Sequence, residues 1–344
     1  MGRKKTTYSL VLLLLFLSSC GHISDRRVRE GPRAKAETRP VPGEADEVGF
    51  WNHPIDPQSS VIIGNDKSSS GALYVYDLNG KLIDRSAHID RPTGVSIRYN
   101  IRLISGTFDI VGCAVRSTNE IKIFAIDPET RKLKDITSPE GIPTGFEKDT
   151  YGFCLYKRIG DGQLFAFVTR KETDNIHQII LSDDGTGKIK GTLLRKFGKY
   201  EMRSFVEGMV ADDEYGYLYC SDERYALLKF YADPNVKKGP FIQAFGVRDG
   251  IQGDREGLAL YKKPHGKGYI IVSSQGDSTF KIYQREGINK FVKSAGLRGV
   301  RRTDGIATTS EKIPPMYPSG IFAAHNDTEN NYLLFDWYEF SRLK

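Results

Sequence analysis

The sequence predicts an all-β protein and, within that class, a six-bladed β-propeller. Three observations carry that expectation. Four segments open alike (YGFCLY at 151, EGMVAD at 207, EGLALY at 256, DGIATT at 304), with TGVSIRY at 93 in the same frame and GFW at 49 fitting loosely. Starts at 93, 151, 207, 256 and 304 are 48–58 residues apart, a period suited to propeller blades. Each opening is followed by a polar turn and two further short, aromatic and β-branched runs, with turn residues such as DLNG, DDGTG and DDEYG between strands. A pair of sandwiches would not repeat at this period, and a β-helix would need shorter coils.

Taken in chain order, the first element is a leader. MGRKK is basic, SLVLLLLFL is apolar but short for a membrane span, and LSSCG at 17–21 has the form of a bacterial lipobox ending at Cys20. An acylated Cys20 would anchor an otherwise soluble chain; the plainer alternative is an ordinary secretory signal. Residues 21–45 are charged and nearly free of large apolar groups, so they are expected to form a flexible tether. Residues 46–344 then supply six repeats of three to four strands. The formal net charge of +7 lies largely before residue 40, so it gives no support to nucleic-acid binding by the folded part. Cys113, Cys154 and Cys220 sit in apolar runs without CxxC spacing and are expected as buried thiols. The histidines are scattered among the repeats without zinc-site spacing.

Equivalent positions of a propeller repeat form a ring about one axis. The residue before the repeat glycine is Thr93, Tyr151, Glu207, Glu256 and Asp304. The end of the second run supplies Lys67, Arg116, Lys171 with Glu172, Glu223, Gln275 and Asn326. A strand begins where its antiparallel neighbour ends, so both sets should meet on one face. Bases come from the early repeats and acids from the later ones, with Asp46 and Glu47 joining from the first. One acidic strand end is ordinarily a solvated loop residue; four in register point to a shared site. Converging carboxylates repel unless cations intervene, and Ca²⁺ is the natural partner of such oxygen ligands. A basic flank beside it suits a polyanion bearing several phosphates, which a metal-activated water could attack. The acids DDE at 212–214 lie in a hairpin turn and are expected to serve the turn.

With these residues in hand, the chain from about 46 to about 340 resembles the β-propeller phytases, the calcium-dependent 3-phytases of bacteria. YGFCLY, VTRKE, EGMVADDEYGYLY, REGLALY, GKGYIIVSSQG, TDGI and YPSGIFAAHND carry the resemblance in this order. It implies several calcium ions on the upper face, holding neighbouring phosphates of phytate. It implies Glu207, Glu223, Glu256 and Tyr151 around the catalytic ions, with Gln275 in the same site. Lys67, Arg116 and Lys171, accompanied by Glu172, would bind phosphate. Asp304 with Asn326 would belong to a structural calcium site, and Asp46 and Glu47 would stand where the family opens with two aspartates. The expectation is therefore a monomeric, lipid-anchored phosphomonoesterase of the cell envelope in which calcium-activated water attacks phytate. Two departures matter. Asp46-Glu47-Val48 replaces an Asp-Asp-Pro, and Gly94-Val95-Ser96 replaces an Asn-Val-Asp, removing a carboxylate. The second favours a rival reading, a surface-binding propeller with lost hydrolysis.

Overall fold

Short apolar-polar alternation forces strands, and Gly, Asn and Asp turns reverse them every five to twelve residues. The computed structural model describes residues 31–342 and contains six four-stranded antiparallel sheets among them. β1 (Ala36–Glu37) comes first. The first blade is β2 (Ala45–Trp51), β3 (Val61–Asp66), β4 (Ala72–Tyr76) and β5 (Leu82–Arg85). The second is β6 (Pro92–Leu103), β7 (Gly106–Val115), β8 (Glu120–Ile126) and β9 (Leu133–Asp135). The third is β10 (Thr150–Lys157), β11 (Leu164–Arg170), β12 (Ile176–Asp183) and β13 (Ile189–Phe197). The fourth is β14 (Val206–Asp212), β15 (Tyr217–Asp222), β16 (Leu227–Tyr231) and β17 (Phe241–Phe245). The fifth is β18 (Arg255–Lys262), β19 (Gly268–Ser274), β20 (Thr279–Gln284) and β21 (Phe291–Gly296). The sixth joins β22 (Ile306–Thr309), β23 (Ile321–Asn326) and β24 (Asn331–Asp336) to β1 as its outermost strand. The fold is the expected six-bladed propeller.

The innermost strands β2, β6, β10, β14, β18 and β22 pack side by side around the axis, and β22 meets β2 to close the ring. Blades meet face to face, so the buried apolar residues form six clusters, one at each blade interface. Ile123, Leu155 and Val168 lie between the second and third blades, for example, and Phe280, Phe322 and Phe335 between the fifth and sixth. Cys113, Cys154 and Cys220 are buried free thiols within these clusters.

The tether expected over 21–45 does not run through residues 35–45, which are held in the fold. β1 pairs with β24 (Ala36 opposite Leu334, Glu37 opposite Leu333), and Thr38 donates its N–H to Tyr332 O at 2.8 Å. Ala45 already belongs to β2. The charged composition of this stretch hid the strand because its apolar contacts are few and its partner lies almost three hundred residues away. Residues 1–30, including Cys20, lie outside the described residues. The seam is also sewn by Tyr332, whose hydroxyl donates to Asn65 O at 2.8 Å and accepts from Asp46 N at 3.2 Å. A short helix α1 (Trp337–Ser341) follows β24, capped by Asp336 through Tyr338 N.

The acids at 212–214 serve the turn and a blade junction. Asp212 accepts from Glu214 N, and its carboxylate takes a bidentate pair from the fully buried Arg285 at 2.6 and 2.7 Å.

Candidate metal centre

Each of the first five inner strands carries a register break at the same place. Pairing skips Asp46–Glu47 in β2, Gly94–Val95 in β6, Tyr151–Gly152 in β10, Glu207–Gly208 in β14 and Glu256–Gly257 in β18. An extra residue in an antiparallel pair bends the strand and re-aims its side chain. Here the bends turn Asp46, Tyr151, Glu207 and Glu256 toward the axis, and Asp304 stands in line just before β22. The glycine that follows is demanded by close approach. A Cβ on Gly208 would lie 2.2 Å from Glu256 O, and one on Gly257 2.4 Å from Asp304 O. Asp46, Glu207, Glu256 and Asp304 are thus each held against the glycine of the blade before, which explains the repeated EG and DG signature.

The outcome is a tight cluster of acids. Ligand oxygens of Glu207, Glu223 and Glu256 lie within 4.8 Å of one another, all three residues being buried. Burial, then the charges of Glu207 and Asp304, push the Glu256 carboxyl up to about 10. Burial, then Asp46, raise Glu207 to about 8 and Asp304 to about 7. Glu47 is raised by burial and by Asp46, and Glu223 by burial and by Asp254. The Tyr151 hydroxyl, raised by burial and by Glu207 and Glu223, stands between those two acids. Within this cluster four buried carboxylate oxygens have no hydrogen-bond partner: Asp46 Oδ2, Glu207 Oε1, Glu223 Oε1 and Glu256 Oε2. Buried, mutually repelling, partnerless oxygens on one face are what a hard divalent cation satisfies, so the donor set fits such an ion.

The neighbouring residues divide by blade. Lys67 places its Nζ 2.7 Å from Asp46 Oδ1 and 3.8 Å from Glu207 Oε1. Burial opposes its charge, but those two acids hold the ammonium well above its ordinary range. Arg116 and Lys171 lie over the Tyr151 ring, with Lys171 Nζ 4.9 Å from its centre, and Arg116 pairs with Asp149 at 3.1 Å. They form the basic flank beside the acids. Glu172 is turned away from the cluster to Lys148 and Arg170. Gln275 Nε2 donates to Asp304 Oδ1 at 2.5 Å, and Asp304 N donates to the ring of His325, whose pKa burial lowers to about 4.

Two positions differ from the repeat frame. Asn326 is buried and accepts from Arg301 N, as Asp222 accepts from Arg203 N and Ser204 N in the fourth blade. The backbone bond that sets Lys67, Lys171, Glu223 and Gln275 at the upper face is made in the sixth blade by Asp327, from its N–H to Arg301 O. Asp327 is therefore the residue that sequence reasoning missed, and counting back from Asn331 by the spacing of the earlier turns would have found it. In the second blade Gly94, not Thr93, holds the ring position. Its φ is +66° and a Cβ there would lie 2.7 Å from Phe153 Cβ. Ser96 Oγ accepts from Leu155 N at 3.0 Å. The missing carboxylate is thus replaced by backbone packing. A cavity of about 320 Å³ runs down the axis from Glu47 and Glu207 to Asp213 and Lys262.

A family model described as Phytase matches residues 4–333. A 3-phytase of Bacillus subtilis (strain 168) is 35% identical over 337 residues, spanning 94% of this chain and 86% of that protein. A solved structure of a candidate phosphatase from Bacteroides thetaiotaomicron superposes with a TM-score of 0.55 at 12% identity, covering 89% of this chain and 75% of that one. At that identity the likeness concerns the fold alone.

Proposed function

Since the chain belongs to the phytase family, we propose that it is a calcium-dependent phosphomonoesterase that hydrolyses phytate. The observation that supports this most is the set of partnerless carboxylate oxygens on Glu207, Glu223, Glu256 and Asp46, beside the Arg116 and Lys171 flank. Glu207, Glu223, Glu256, Asp46, Glu47 and Asp304, with Gln275, would hold the metal. When bound, calcium there supplies charge neutralisation and a more acidic water than bulk solvent.

The remaining roles fall to the chain. Arg116 and Lys171 draw phosphate to the rim and fix its orientation, and Arg116 keeps a free buried Nε for an anion. Tyr151 props the Glu207 and Glu223 carboxylates apart while carrying both bases on its ring. Lys67 offsets the charge of Asp46 and Glu207. Among the described residues no side chain at the cluster is placed as an activated nucleophile, so a covalent phospho-enzyme is not part of the proposal. An acyl anchor on Cys20 would hold the protein at the cell envelope.

Phosphate release from phytate, measured with calcium and again with excess chelator, tests the reading. Release that survives chelation would remove the metal from the reaction. The rival reading, a binding propeller without hydrolysis, is favoured by the packed Gly94–Ser96 stretch. Phytate binding without any release at saturating calcium would select it.

A further inference from the structure

The two faces of the ring differ. Hairpins joining the first and second strands of each blade all project from the face opposite the carboxylates. Turn tips normally take Gly, Pro, Asn, Asp or Ser. Among the described residues, four large aliphatic side chains are more than half exposed: Ile55 (88%), Ile104 (76%), Ile159 (64%) and Ile288 (76%). All four sit in lower-face turns, between β2 and β3, β6 and β7, β10 and β11, and β20 and β21. Single exposed apolar residues need no explanation. Four of one type on separate hairpin prongs of one face do; three lie on equivalent first-to-second hairpins, and Ile288 lies on the third-to-fourth hairpin of the fifth blade, which antiparallel pairing brings to the same face.

We propose that this lower face docks on a phospholipid surface by inserting the four isoleucines, holding the carboxylate face toward solvent. The prongs are spread around a ring and share no groove, so a flat, deformable apolar layer reaches all of them at once. A compact protein partner would need four separate pockets. The one inner tip without an exposed apolar residue carries Lys263, His265 and Lys267, all exposed, and cations there suit anionic headgroups. Chain length permits the pose. Pro32 is fixed at the upper end of β21 through its carbonyl and Arg298 N. Ten residues separate Cys20 from Gly31 and extend to roughly 33–36 Å, against a blade depth of about 25 Å. Docking does not require the anchor at Cys20, but the two would act on the same bilayer.

The test uses the full chain with Ile104→Cys or Ile288→Cys carrying an environment-sensitive fluorophore. Tyr200→Cys, on the upper face and 94% exposed in the parent, is the control. The natural thiols at 113, 154 and 220 are buried, and labelled wild type reports any dye at Cys20. Vesicles of phosphatidylcholine and phosphatidylglycerol with brominated acyl chains are added in excess. Quenching at 104 and 288 is expected to exceed that at 200 by about fivefold. Changing the other three isoleucines to serine should cut it by about threefold or more. Absent quenching, or equal quenching at 200, overturns the proposal. So does a lipid-free dimer that shields the two labels, which would assign the face to a second copy. Absence of an acylated mass with quenching intact would remove the anchor and leave the docking face standing.

Discussion

Glu207 is buried among like charges, and its behaviour without metal should differ sharply from its behaviour with it. Glu207→Gln and Glu223→Gln are each expected to lower phosphate release by about 100-fold or more. The same changes should raise the melting temperature of the chelated protein, because they remove repulsion. A chelated melting temperature that falls would mean these carboxylates are paired in some other way. Lys67→Met has the opposite sign. It strips Asp46 and Glu207 of the one cation paired with them among the described residues and should lower chelated stability by about 1 kcal/mol, roughly 1–2 °C for a chain of this length. It should also tighten calcium binding by about tenfold, since a resident positive charge no longer competes. Unchanged calcium affinity by calorimetry would place Lys67 outside the metal's field. The pH dependence follows from the raised carboxyl groups. Asp304 and Glu207 titrate from ordinary values of 3.8 and 4.5 in the unfolded chain to about 7 and about 8 in the fold. Protonated carboxyls fit the cluster, so that stability is fully present below pH 4 and is lost as pH rises through about 7 and 8. Chelated melting curves should therefore fall across this window, while calcium-loaded ones hold level. Parallel curves would deny that metal neutralises these groups. Which way Lys67 turns was not legible in the sequence, because a repeat frame gives a residue's place and not its side-chain direction.

Strands and the ring positions were largely legible, since period-two alternation and the acid-glycine pair both leave marks in sequence; the register breaks that aim the ring residues were not. The glycines of EG and DG read as repeat punctuation, and the structure gives the cause as close approach of the next blade's carbonyl. The same marker misled in two blades. In the second, the glycine occupies the acid's own place at Gly94; in the sixth, Asn326 matches the pattern of the turn while Asp327 takes the upper-face position. Gly94 also limits repair of the family pattern, because Gly94→Asn must push against Phe153. β1 left no mark, as two residues cannot show a period and only β24 defines them. Thr38→Pro removes the donor to Tyr332 O and should cost about 2–3 kcal/mol, read as a lower denaturant midpoint. An unshifted midpoint would make the closure dispensable. Arg285 was not foreseen either. Arg285→Met leaves Asp212 buried without its partner and should cost about 3–5 kcal/mol, measured in the same way.

For the molecule as a whole, chelation should lower the melting temperature as well as activity, because the metal-free ring carries its repulsion at the centre where all six inner strands meet. Calcium added back should restore both together; recovery of activity without recovery of the melting temperature would separate a catalytic ion from a structural one. Cys20→Ser should abolish acylation and shift the protein from the membrane to the soluble fraction only as far as the lower face fails to hold it. The closure of the sixth blade reaches further than stability. During synthesis β1 leaves the ribosome first, yet it has no partner until β24 has been made. A nascent chain therefore stays an open arc through almost all of its production, with the edge of the first blade unpaired against its final neighbour. The same strand is where any pull transmitted from the N-terminus arrives. A load applied there first meets the bond from Arg298 N to Pro32 O at the end of the fifth blade and then the short β1–β24 seam, so the ring is expected to yield at the point where it was last joined.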